Sequence, residues 1–315
     1  MKATARAHTN IALIKYWGKK DEELNLPLQS SLSLTLDKFY TDTTVIYKKE
    51  LIEDQLFIDD KFISGEEKNR VIKFMNFVRK QFQIPYYALI ESYNHVPKKA
   101  GVASSSSAFA SLALAATKAY GLDLSEKELS TLARYGSGSA SRSIYNDLVL
   151  WHEGNSHETS YAERFAPADD LVLLICMIDS SEKKIDSRSA MRELVKYPDL
   201  MAFWKEESQR HLEAFIDAFE QNDFDKYGLI AELNALQMHR VMQLSGIVYL
   251  QEKSIDIIEL TGELRKKGYP VYATIDAGPN VKILTKKEFV KDVLPIYEAY
   301  TSVIVSQKGE GVKLI

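Results

Sequence analysis

The sequence predicts an α+β fold in two domains, on the basis of three observations. Strand-like and helix-like stretches follow one another without the strict alternation that a parallel α/β sheet requires. The chain contains no G-x-G-x-x-G motif of the dinucleotide-binding kind. Its 315 residues suffice for two domains of medium size, each with its own core. We place the boundary just before a buried-strand candidate at 171–178, so that the domains span 1–170 and 171–315.

The composition excludes several classes of protein. The chain is 45% hydrophobic and 27% charged, which is typical of globular proteins, and its net charge of −4 argues against a nucleic-acid partner. The longest apolar runs, 108–116 and 171–178, are far shorter than the roughly 20 residues of a membrane span, and no signal peptide precedes them. The single cysteine, Cys176, lies in an apolar run and is expected in the core. We therefore expect a cytoplasmic protein without a membrane or nucleic-acid partner.

The elements of the first domain follow from local patterns. Residues 36–47 are rich in Thr, Val and Tyr, which predicts a strand. Ser64 and Glu67 have the spacing of a capping box, and apolar residues then recur every three to four positions, which predicts a helix over 66–82. The next elements in order are a strand over 86–93, a Gly-Ser turn over 101–107, an apolar helix over 108–120, a helix capped by Ser125 and running to 134, and a second Gly-Ser turn over 136–143.

The second domain begins with the buried strand at 171–178. Apolar periodicity then predicts helices, and Gly268 is a natural stop for the last of them. Two short apolar strands flank a tight Asp-Ala-Gly-Pro turn that begins at Asp276. The predicted elements are helices over 201–221, 224–244 and 254–267 and strands over 271–275 and 281–284.

Two segments of the first domain suit a phosphate ligand. In 10–19, Lys15 and Lys19 lie beside two aromatic residues, and lysines bind phosphate as point charges. The alternative is a strand with solvent-facing lysines. In 97–108, small residues precede an apolar helix, whose N-terminus offers N–H groups and a partial positive charge to an anion. The alternative there is a flexible serine turn that caps a buried helix.

Two further segments suit a polyanion and an acid. Residues 136–143 combine serine hydroxyls with the forked guanidinium of Arg142; the alternative is a loop in which Arg142 forms a structural salt bridge. Asp276 ends an apolar strand beside a tight turn, a common place for a catalytic carboxylate, although such a turn is often only a turn. His152 and His157 lack a third ligand, so no zinc site is predicted.

In this order the four segments resemble the GHMP superfamily of small-molecule kinases, and within it the diphosphomevalonate decarboxylase family. The resemblance runs from about residue 6 to residue 284. It rests on Asn10-Ile-Ala-Leu-Ile-Lys-Tyr-Trp-Gly-Lys19 with Ser30-Ser-Leu-Ser-Leu-Thr-Leu36, on Gly-Ser-Gly-Ser-Ala-x-Arg-Ser and on Asp-Ala-Gly-Pro-Asn-Val. It implies a GHMP kinase-like nucleotide-binding domain, a ferredoxin-like α+β second domain, an active site in the cleft between the domains and a homodimer.

The resemblance also implies roles for individual residues. Asp276 and Lys15 match the catalytic pair. The positions that hold a substrate's 5-diphosphate are matched by Tyr16, Lys19, Ser137, Gly138, Ser139, Arg142 and Arg188. The positions around ATP, whose phosphates Mg²⁺ would bridge, are matched by Ser92, Asn94, Gly101, Ser104, Ser105, Ser106, Ser107, Lys183, Lys184 and Ser187. Without the resemblance, Lys183 and Lys184 would be interpreted as part of a solvated loop.

The implied reaction is the ATP-dependent decarboxylation of mevalonate 5-diphosphate to isopentenyl diphosphate, a carboxy-lyase step of isoprenoid biosynthesis. A tertiary hydroxide leaves poorly, and phosphorylation by ATP corrects this. Asp276 would position the C3 hydroxyl or accept its proton, and Lys15 would keep Asp276 ionised. Two alternatives stay open. One is a sister enzyme that acts on mevalonate or its monophosphate, and the other is an inactive relative that only binds its ligands.

Overall fold

The computed structural model describes residues 1–95, 104–178 and 185–315. Two large β-sheets, each covered by helices, pack together. The α+β class predicted from the sequence is confirmed. The strands are β1 Lys2–Ile14, β2 Lys19–Asp21, β3 Leu26–Pro27, β4 Ser31–Lys48, β5 Gln55–Ile58, β6 Lys61–Phe62, β7 Tyr87–His95, β8 Leu148–Trp151, β9 Ala162–Ala166, β10 Leu171–Met177, β11 Tyr272–Ile275, β12 Val281–Lys286, β13 Ser302–Ser306 and β14 Lys313–Leu314. The helices are α1 Gly65–Phe82, α2 Ser104–Ala119, α3 Glu126–Gly136, α4 Ser187–Leu194, α5 Pro198–Glu220, α6 Phe224–Leu244, α7 Glu252–Lys266 and α8 Val290–Glu298.

The first sheet is built around two long antiparallel strands, β1 and β4. Within the described residues it has the order β14-β1-β4-β7-β5-β6, and β8 and β9 extend it from β4. Helices α1, α2 and α3 cover one face and share a buried apolar cluster with it. Because β4 is almost continuously buried over its first half, its pairing with β1 places the end of β1 inside the molecule.

The second sheet has the order β11-β12-β10-β13, and its strands pair antiparallel. Cys176 is fully buried in β10, and burial raises the pKa of its thiol to about 12, which confirms a core residue. A further apolar cluster joins Leu13 and Leu34 of the first sheet to Leu173 and Phe215. This shared cluster holds the two sheets against each other and fixes the ends of β1 and β11 relative to one another.

Three local predictions need correction. Ser64 occupies the N-cap position of α1, but its side chain makes no capping hydrogen bond. Gly65, the next residue, has a φ of +73°, and this backbone conformation does not allow the predicted capping box. The apolar helix begins at Ser104, four residues earlier than predicted, so the serines lie in its first turn rather than in a loop. The second Gly-Ser segment is mostly a 3₁₀ helix, Gly138–Ile144, rather than a turn.

The remaining predicted elements are confirmed within a few residues; two helices, α4 and α8, and several strands, among them β8, β9 and β13, were missed. Helix α6 has the predicted bounds, Gly268 follows α7 with a φ of +93°, and Ser125 caps α3 as predicted, here as part of a capping box. Helix α4 has only eight residues, and α8 has nine with Pro295 inside, so both are shorter than the stretch over which a sequence pattern identifies a helix. None of the helices in 1–95, 104–178 and 185–315 combines the length and apolarity needed to span a bilayer.

Candidate active site

The predicted catalytic pair lies where two strands end side by side. Lys15 follows β1, and Asp276 follows β11 at the start of the turn into β12. The Lys15 ammonium donates to Asp276 Oδ1 at 2.8 Å and to the Ala12 carbonyl oxygen at 2.8 Å. Lys282, in β12, brings a second ammonium to 3.2 Å from Asp276 Oδ2. The carboxylate is therefore bracketed by two cations, one of which sequence reasoning missed.

Burial and charge set the ionisation of this group. The side chains of Lys15 and Lys282 are 2% and 1% exposed, whereas that of Asp276 is 25% exposed. Burial alone would raise the pKa of the Asp276 carboxyl, but the two ammonium groups outweigh it and hold the pKa far below its ordinary value. Burial lowers the pKa of Lys15 to about 8, against the attraction of Asp276. Asp276 is therefore an anion, and it is the member of this trio that is partly exposed.

Helix α6 fixes the backbone on both sides of the pair. Asn234 Oδ1 accepts the Lys15 N–H at 2.7 Å, and Glu232 accepts the Ala273 N–H in β11 at 2.7 Å. His239 Nε2 lies 3.1 Å from the Asp276 carbonyl oxygen. Burial, with repulsion from Lys15, lowers the pKa of His239 to about 4, so the ring is neutral near pH 7 and must carry its proton on Nε2 to donate this bond. A single helix thus sets the spacing between β1 and β11.

The 3₁₀ helix carries a buried guanidinium whose partners are neutral. Arg142 is 2% exposed, its Nε donates to Asn10 Oδ1 at 3.3 Å, and its Nη1 donates to Ser31 Oγ. Burial lowers the pKa of Arg142 to about 10, so the group stays charged at neutral pH. Among the described residues, no carboxylate forms an ion pair with Arg142. The alternative that Arg142 forms a structural salt bridge is therefore wrong. A buried cation without an acidic partner is costly, and it is the feature expected of an anion site.

Asn10 anchors this segment to β1. Its Nδ2 donates to the Ser139 carbonyl oxygen at 3.0 Å and to Ser143 Oγ at 2.8 Å, while its Oδ1 accepts from Arg142. One side chain therefore fixes both the 3₁₀ backbone and the guanidinium. Sequence reasoning gave Asn10 no role, although it opens the first motif of the resemblance.

Tyr16 and Gly138 meet beside this cation. The Tyr16 hydroxyl is buried and has no hydrogen-bond partner among the described residues. Its ring packs edge-on against Trp151, with the centroids 4.8 Å apart. A Cβ atom on Gly138 would lie 2.8 Å from Tyr16 Oη and 2.9 Å from Trp151 Cη2, so this close approach requires glycine. The unpartnered hydroxyl suits a ligand oxygen that completes its hydrogen bonding.

The predicted lysine of the first motif is also buried. Lys19 Nζ donates to Asn25 Oδ1 at 2.7 Å and lies 3.6 Å from Glu22. Burial, and then the charge of Arg188, lowers the pKa of Lys19 to about 8. The alternative of solvent-facing lysines is wrong, because Lys15 is 1% exposed and Lys19 is 9% exposed.

A cationic cavity of about 410 Å³ adjoins these groups. Arg188, half-buried in α4, lines this cavity. The charge of Arg188 acts on the pKa values of Tyr16 and Lys19, so the cavity lies beside the predicted diphosphate residues. Arg70 of α1 also lines it, with a buried Nε that has no partner among the described residues. The sequence gives no signal for Arg70, which is one of many polar residues on an amphipathic helix. The other charged lining residues are Glu22, Glu23, Lys73 and Arg192.

The predicted phosphate cradle lies at the N-terminal end of α2. Ser137 Oγ donates to Ser105 Oγ at 3.3 Å and lies 3.4 Å from Ser139 Oγ, which joins α2 to the 3₁₀ segment. Ser107 Oγ is 2.7 Å from Thr41 Oγ1, and Ser106 is fully buried. The N-terminus of this 16-residue helix presents N–H groups and a partial positive charge on the same side.

The other predicted nucleotide residues are placed in part. In β7, Ser92 Oγ lies 3.1 Å from Thr43 Oγ1, and Asn94 Oδ1 accepts from Thr41 Oγ1 at 3.2 Å. Ser187 is the first residue of α4, just after its capping residue Asp186. Gly101, Lys183, Lys184 and the side chain of Ser104 lie outside the described residues.

The side chains of this site fit a magnesium ion only if phosphate oxygens supply most of its ligands. In the described part of the chain, no three His, Cys, Asp or Glu side chains gather where they could hold a metal ion. Asp276 is already engaged by two lysines. The hydroxyl of Ser105 is a hard oxygen donor, and Mg²⁺ in nucleotide sites takes most of its ligands from phosphate and water. The residues therefore fit an ion that arrives with a triphosphate.

Comparison with known proteins gives one consistent match. Residues 7–162 match the family model "Diphosphomevalonate decarboxylase-like N-terminal domain", and residues 173–312 match "Mevalonate 5-diphosphate decarboxylase C-terminal domain". The diphosphomevalonate decarboxylase of Ganoderma lucidum is 34% identical, over 95% of this chain and 82% of the relative. The phosphomevalonate decarboxylase of Haloferax volcanii is 30% identical, over 93% of this chain and 91% of the relative. A solved structure, described as MDDEF in complex with MVAPP, AMPPCP and magnesium, is 40% identical with a TM-score of 0.95, over 100% of this chain and 99% of that one.

Proposed function

The chain belongs to the diphosphomevalonate decarboxylase family, and from this premise we propose that it uses ATP to convert mevalonate 5-diphosphate into isopentenyl diphosphate, ADP, phosphate and CO₂. The observation that carries the proposal is a partly exposed carboxylate, Asp276, in the same site as a buried cation that has no acidic ion-pair partner among the described residues, Arg142. The similar structure that binds MVAPP, AMPPCP and magnesium supports the same substrate, nucleotide and ion here.

The proposed chemistry begins with the substrate's tertiary alcohol. The C3 oxygen attacks the γ-phosphorus of ATP, the bond from that phosphorus to ADP breaks, and the hydroxyl proton passes to an oxygen of the transferred phosphate. The C3–O bond then breaks, and phosphate carries away its electron pair. The electrons of the bond between C2 and the carboxylate form the new double bond, and CO₂ leaves. The protein has to align these groups and stabilise the positive charge that develops at C3.

Asp276 acts in both stages as an anion. Its depressed pKa makes it a weak base, so its main contribution to the first stage is to accept a hydrogen bond from the C3 hydroxyl and aim the oxygen at the phosphorus. A loose phosphoryl-transfer transition state needs little proton abstraction, which suits this arrangement. In the second stage the same negative charge stabilises the cationic centre at C3. Lys15 holds the carboxylate ionised and oriented.

In the proposal, the 5-diphosphate is bound by cations and hydroxyls around the 3₁₀ helix and the adjoining cavity. Arg142 offers guanidinium N–H groups, and Tyr16 offers its unpartnered hydroxyl. Lys19 and Arg188 add positive charge from the adjoining cavity. The backbone at Gly138 and the hydroxyls of Ser137 and Ser139 complete the set.

ATP is proposed to bind with its phosphates at the N-terminus of α2. Ser105, Ser106 and Ser107 lie there, and Ser92 and Asn94 lie nearby on β7. Mg²⁺, bound with the nucleotide, supplies positive charge that neutralises the β- and γ-phosphates. The proposed contacts of Gly101, Ser104, Lys183, Lys184 and Ser187 with ATP remain predictions from the resemblance.

A second candidate substrate is mevalonate 5-phosphate, because the Haloferax volcanii relative carries the name phosphomevalonate decarboxylase. The number of cations at the far end of the site favours the diphosphate. Lys19, Arg142 and Arg188 together exceed what one phosphate needs, and Arg70 extends the same charge into the cavity.

A product assay on three substrates tests the function. Mevalonate, its 5-phosphate and its 5-diphosphate are supplied in parallel with ATP and Mg²⁺, and ADP, phosphate and CO₂ are measured. We expect equal amounts of all three products from the 5-diphosphate. Preferential CO₂ release from the 5-phosphate would support the second candidate, and ADP without CO₂ would indicate a kinase. If no substrate yields ADP or CO₂, the chain only binds its ligands and the proposal fails.

The activity is expected to fall at alkaline pH. Lys15 and Lys19 have pKa values lowered to about 8, and an ammonium keeps its charge below its pKa and loses it above. The profile of kcat/KM for the diphosphate, which reports ionisations of the free enzyme, should therefore decline from about pH 8 upward. The kcat profile should decline later, since bound phosphate favours the charged lysines. A kcat/KM that stays flat to pH 10 while the protein remains folded contradicts a role for these cations.

Three broader features are also proposed. The separate sheets support domains at 1–170 and 171–315, although β14 returns to pair with β1 in the first sheet. We further propose a cytoplasmic location and a homodimer. Light scattering on purified protein tests the dimer, and a mass near one 35.8 kDa chain would contradict it.

A further inference from the structure

We propose that Lys282 is a positioning residue that fixes the second oxygen of the Asp276 carboxylate and keeps this group an anion throughout the reaction. The proposal rests on the proposed function for the identity of the substrate. The state of the carboxylate itself follows from contacts within the chain and is measurable without any substrate.

The contacts define the orientation of the carboxylate. Lys15 Nζ is 2.8 Å from Asp276 Oδ1, and Lys282 Nζ is 3.2 Å from Oδ2. Each ammonium is in turn held by a backbone carbonyl, at Ala12 for Lys15 and at Asn280 for Lys282, at 2.8 and 3.1 Å. The lysines come from different sheets, so a rotation of the carboxylate loses one of its two contacts. The carboxylate is therefore oriented before a substrate arrives.

Burial separates the two lysines from the substrate. The side chain of Lys282 is 1% exposed, and that of Asp276 is 25% exposed. Because Lys282 is buried and Asp276 is partly exposed, Lys282 acts on the reaction through Asp276. A surface ion pair is weakened by water and salt, and this pair is screened less because one partner is fully buried.

The charges around Asp276 are strongly unbalanced. Lys15 faces it from the end of β1, Lys282 faces it from β12, and Arg142 acts on it from the 3₁₀ helix. His239 faces it from α6 through the backbone carbonyl and is neutral near pH 7. One negative charge is thus surrounded by three positive charges.

This excess has a consequence for catalysis. If Asp276 took up the hydroxyl proton during phosphoryl transfer, it would be neutral when positive charge appears at C3. With two ammonium groups in contact, the carboxylate holds a proton poorly and remains available as an anion for the second stage. Lys15 alone would leave one carboxylate oxygen without a cation. The second lysine therefore favours the role of an orienting anion over that of a general base.

The direct test is a titration of the carboxylate. The side-chain carboxyl carbons of aspartate are labelled with ¹³C, and Asp276→Asn assigns the signal by its disappearance. We expect the wild-type signal to stay unchanged to the lowest pH at which the protein is folded, and the Lys282→Met signal to titrate at higher pH. Lys282→Gln retains a hydrogen-bond donor without the charge, and its Asp276 signal should titrate as in Lys282→Met. This variant replaces Lys282→Met in the experiment if the methionine variant does not fold.

A matched control comes from the same strand. Lys286 also lies in β12, with its ammonium 5.4 Å from the Phe224 ring and without a contact to Asp276. Lys286→Met should leave the Asp276 signal as it is in the wild type. Lys282→Arg restores a positive charge and should return the signal toward wild-type behaviour. An Asp276 signal that is the same in Lys282→Met and Lys282→Gln as in the wild type overturns the proposal.

Kinetics provide the second measurement. Lys282→Met should lower kcat near pH 7.5 by roughly tenfold, the loss of about one charge-assisted hydrogen bond. It should also add an acid limb to the kcat profile that the wild type lacks. A loss of the same factor at every pH indicates a structural role only and overturns the proposal. If the wild type decarboxylates none of the three mevalonates, the proposed function fails, but the titration still decides the state of Asp276.

Discussion

Replacing Asp276 with asparagine is expected to lower kcat about a thousandfold, about 4 kcal/mol of transition-state stabilisation. The amide has nearly the same shape, but it removes the negative charge that faces C3. Affinity for ATP and for the diphosphate should change less than about tenfold, since most of the binding comes from phosphate groups that do not contact this carboxylate in the proposal. Steady-state kinetics measure kcat, and calorimetric titration of the variant measures both affinities.

The stability of this variant needs its own control. The substitution leaves two buried lysines without their anion, and breaking a buried ion pair costs about 3–5 kcal/mol. Asp147→Asn is a matched change, because Asp147 is fully buried and pairs with Arg164 and Lys308. Its φ of +64° is one that asparagine tolerates. Asp147→Asn should lower the melting temperature and keep kcat. A large loss of affinity in Asp276→Asn with little loss of kcat would contradict the role of Asp276.

Most of the helices were predictable because they follow from local periodicity, whereas several short strands contain too few residues to show a pattern. The bounds of α6 and the N-terminal cap at Ser125 were predicted correctly from the sequence. The errors occur where tertiary structure overrides a local pattern. The positive φ of Gly65 removes the capping box at Ser64, and the serines before α2 join the helix because its N-terminus packs against β4 and the 3₁₀ segment. Such effects depend on contacts that a local pattern does not contain.

The site was predictable only where a motif marked it. Lys15 and Asp276 are 261 positions apart, so no spacing rule joins them, and the resemblance alone paired them before the structure showed their contact. No motif quoted for the resemblance includes Lys282 or His239. Lys282 follows Asp276 by only six positions, but the antiparallel return of β12 is what brings its ammonium back to the carboxylate. Arg70 reaches the cavity only because α1 packs beside α3. The roles given to these residues remain predictions.

Replacing Arg142 with alanine is expected to raise KM for mevalonate 5-diphosphate about a hundredfold, with a smaller effect on KM for ATP. The guanidinium is buried and its protein partners are neutral, so a bound phosphate would be its only anionic partner. Two charge-assisted hydrogen bonds, lost together, correspond to about 3 kcal/mol. Inorganic diphosphate should act as a competitive inhibitor, and its inhibition constant should rise by a similar factor in Arg142→Ala.

The inhibitor separates two ways in which Arg142 could act. If Arg142 binds the diphosphate end, KM for the substrate and the inhibition constant of inorganic diphosphate rise together. If Arg142 acts near Asp276 instead, kcat falls and inhibition by inorganic diphosphate stays as in the wild type. Arg142→Lys should recover part of the affinity, because an ammonium keeps the charge but not the fork of donors. Arg164→Ala, which removes a half-exposed arginine paired with Asp147, controls for the loss of a cation elsewhere and should leave KM unchanged. An unchanged KM in Arg142→Ala would remove the main support for a diphosphate substrate, since no other buried guanidinium in the described site combines neutral partners with proximity to Asp276.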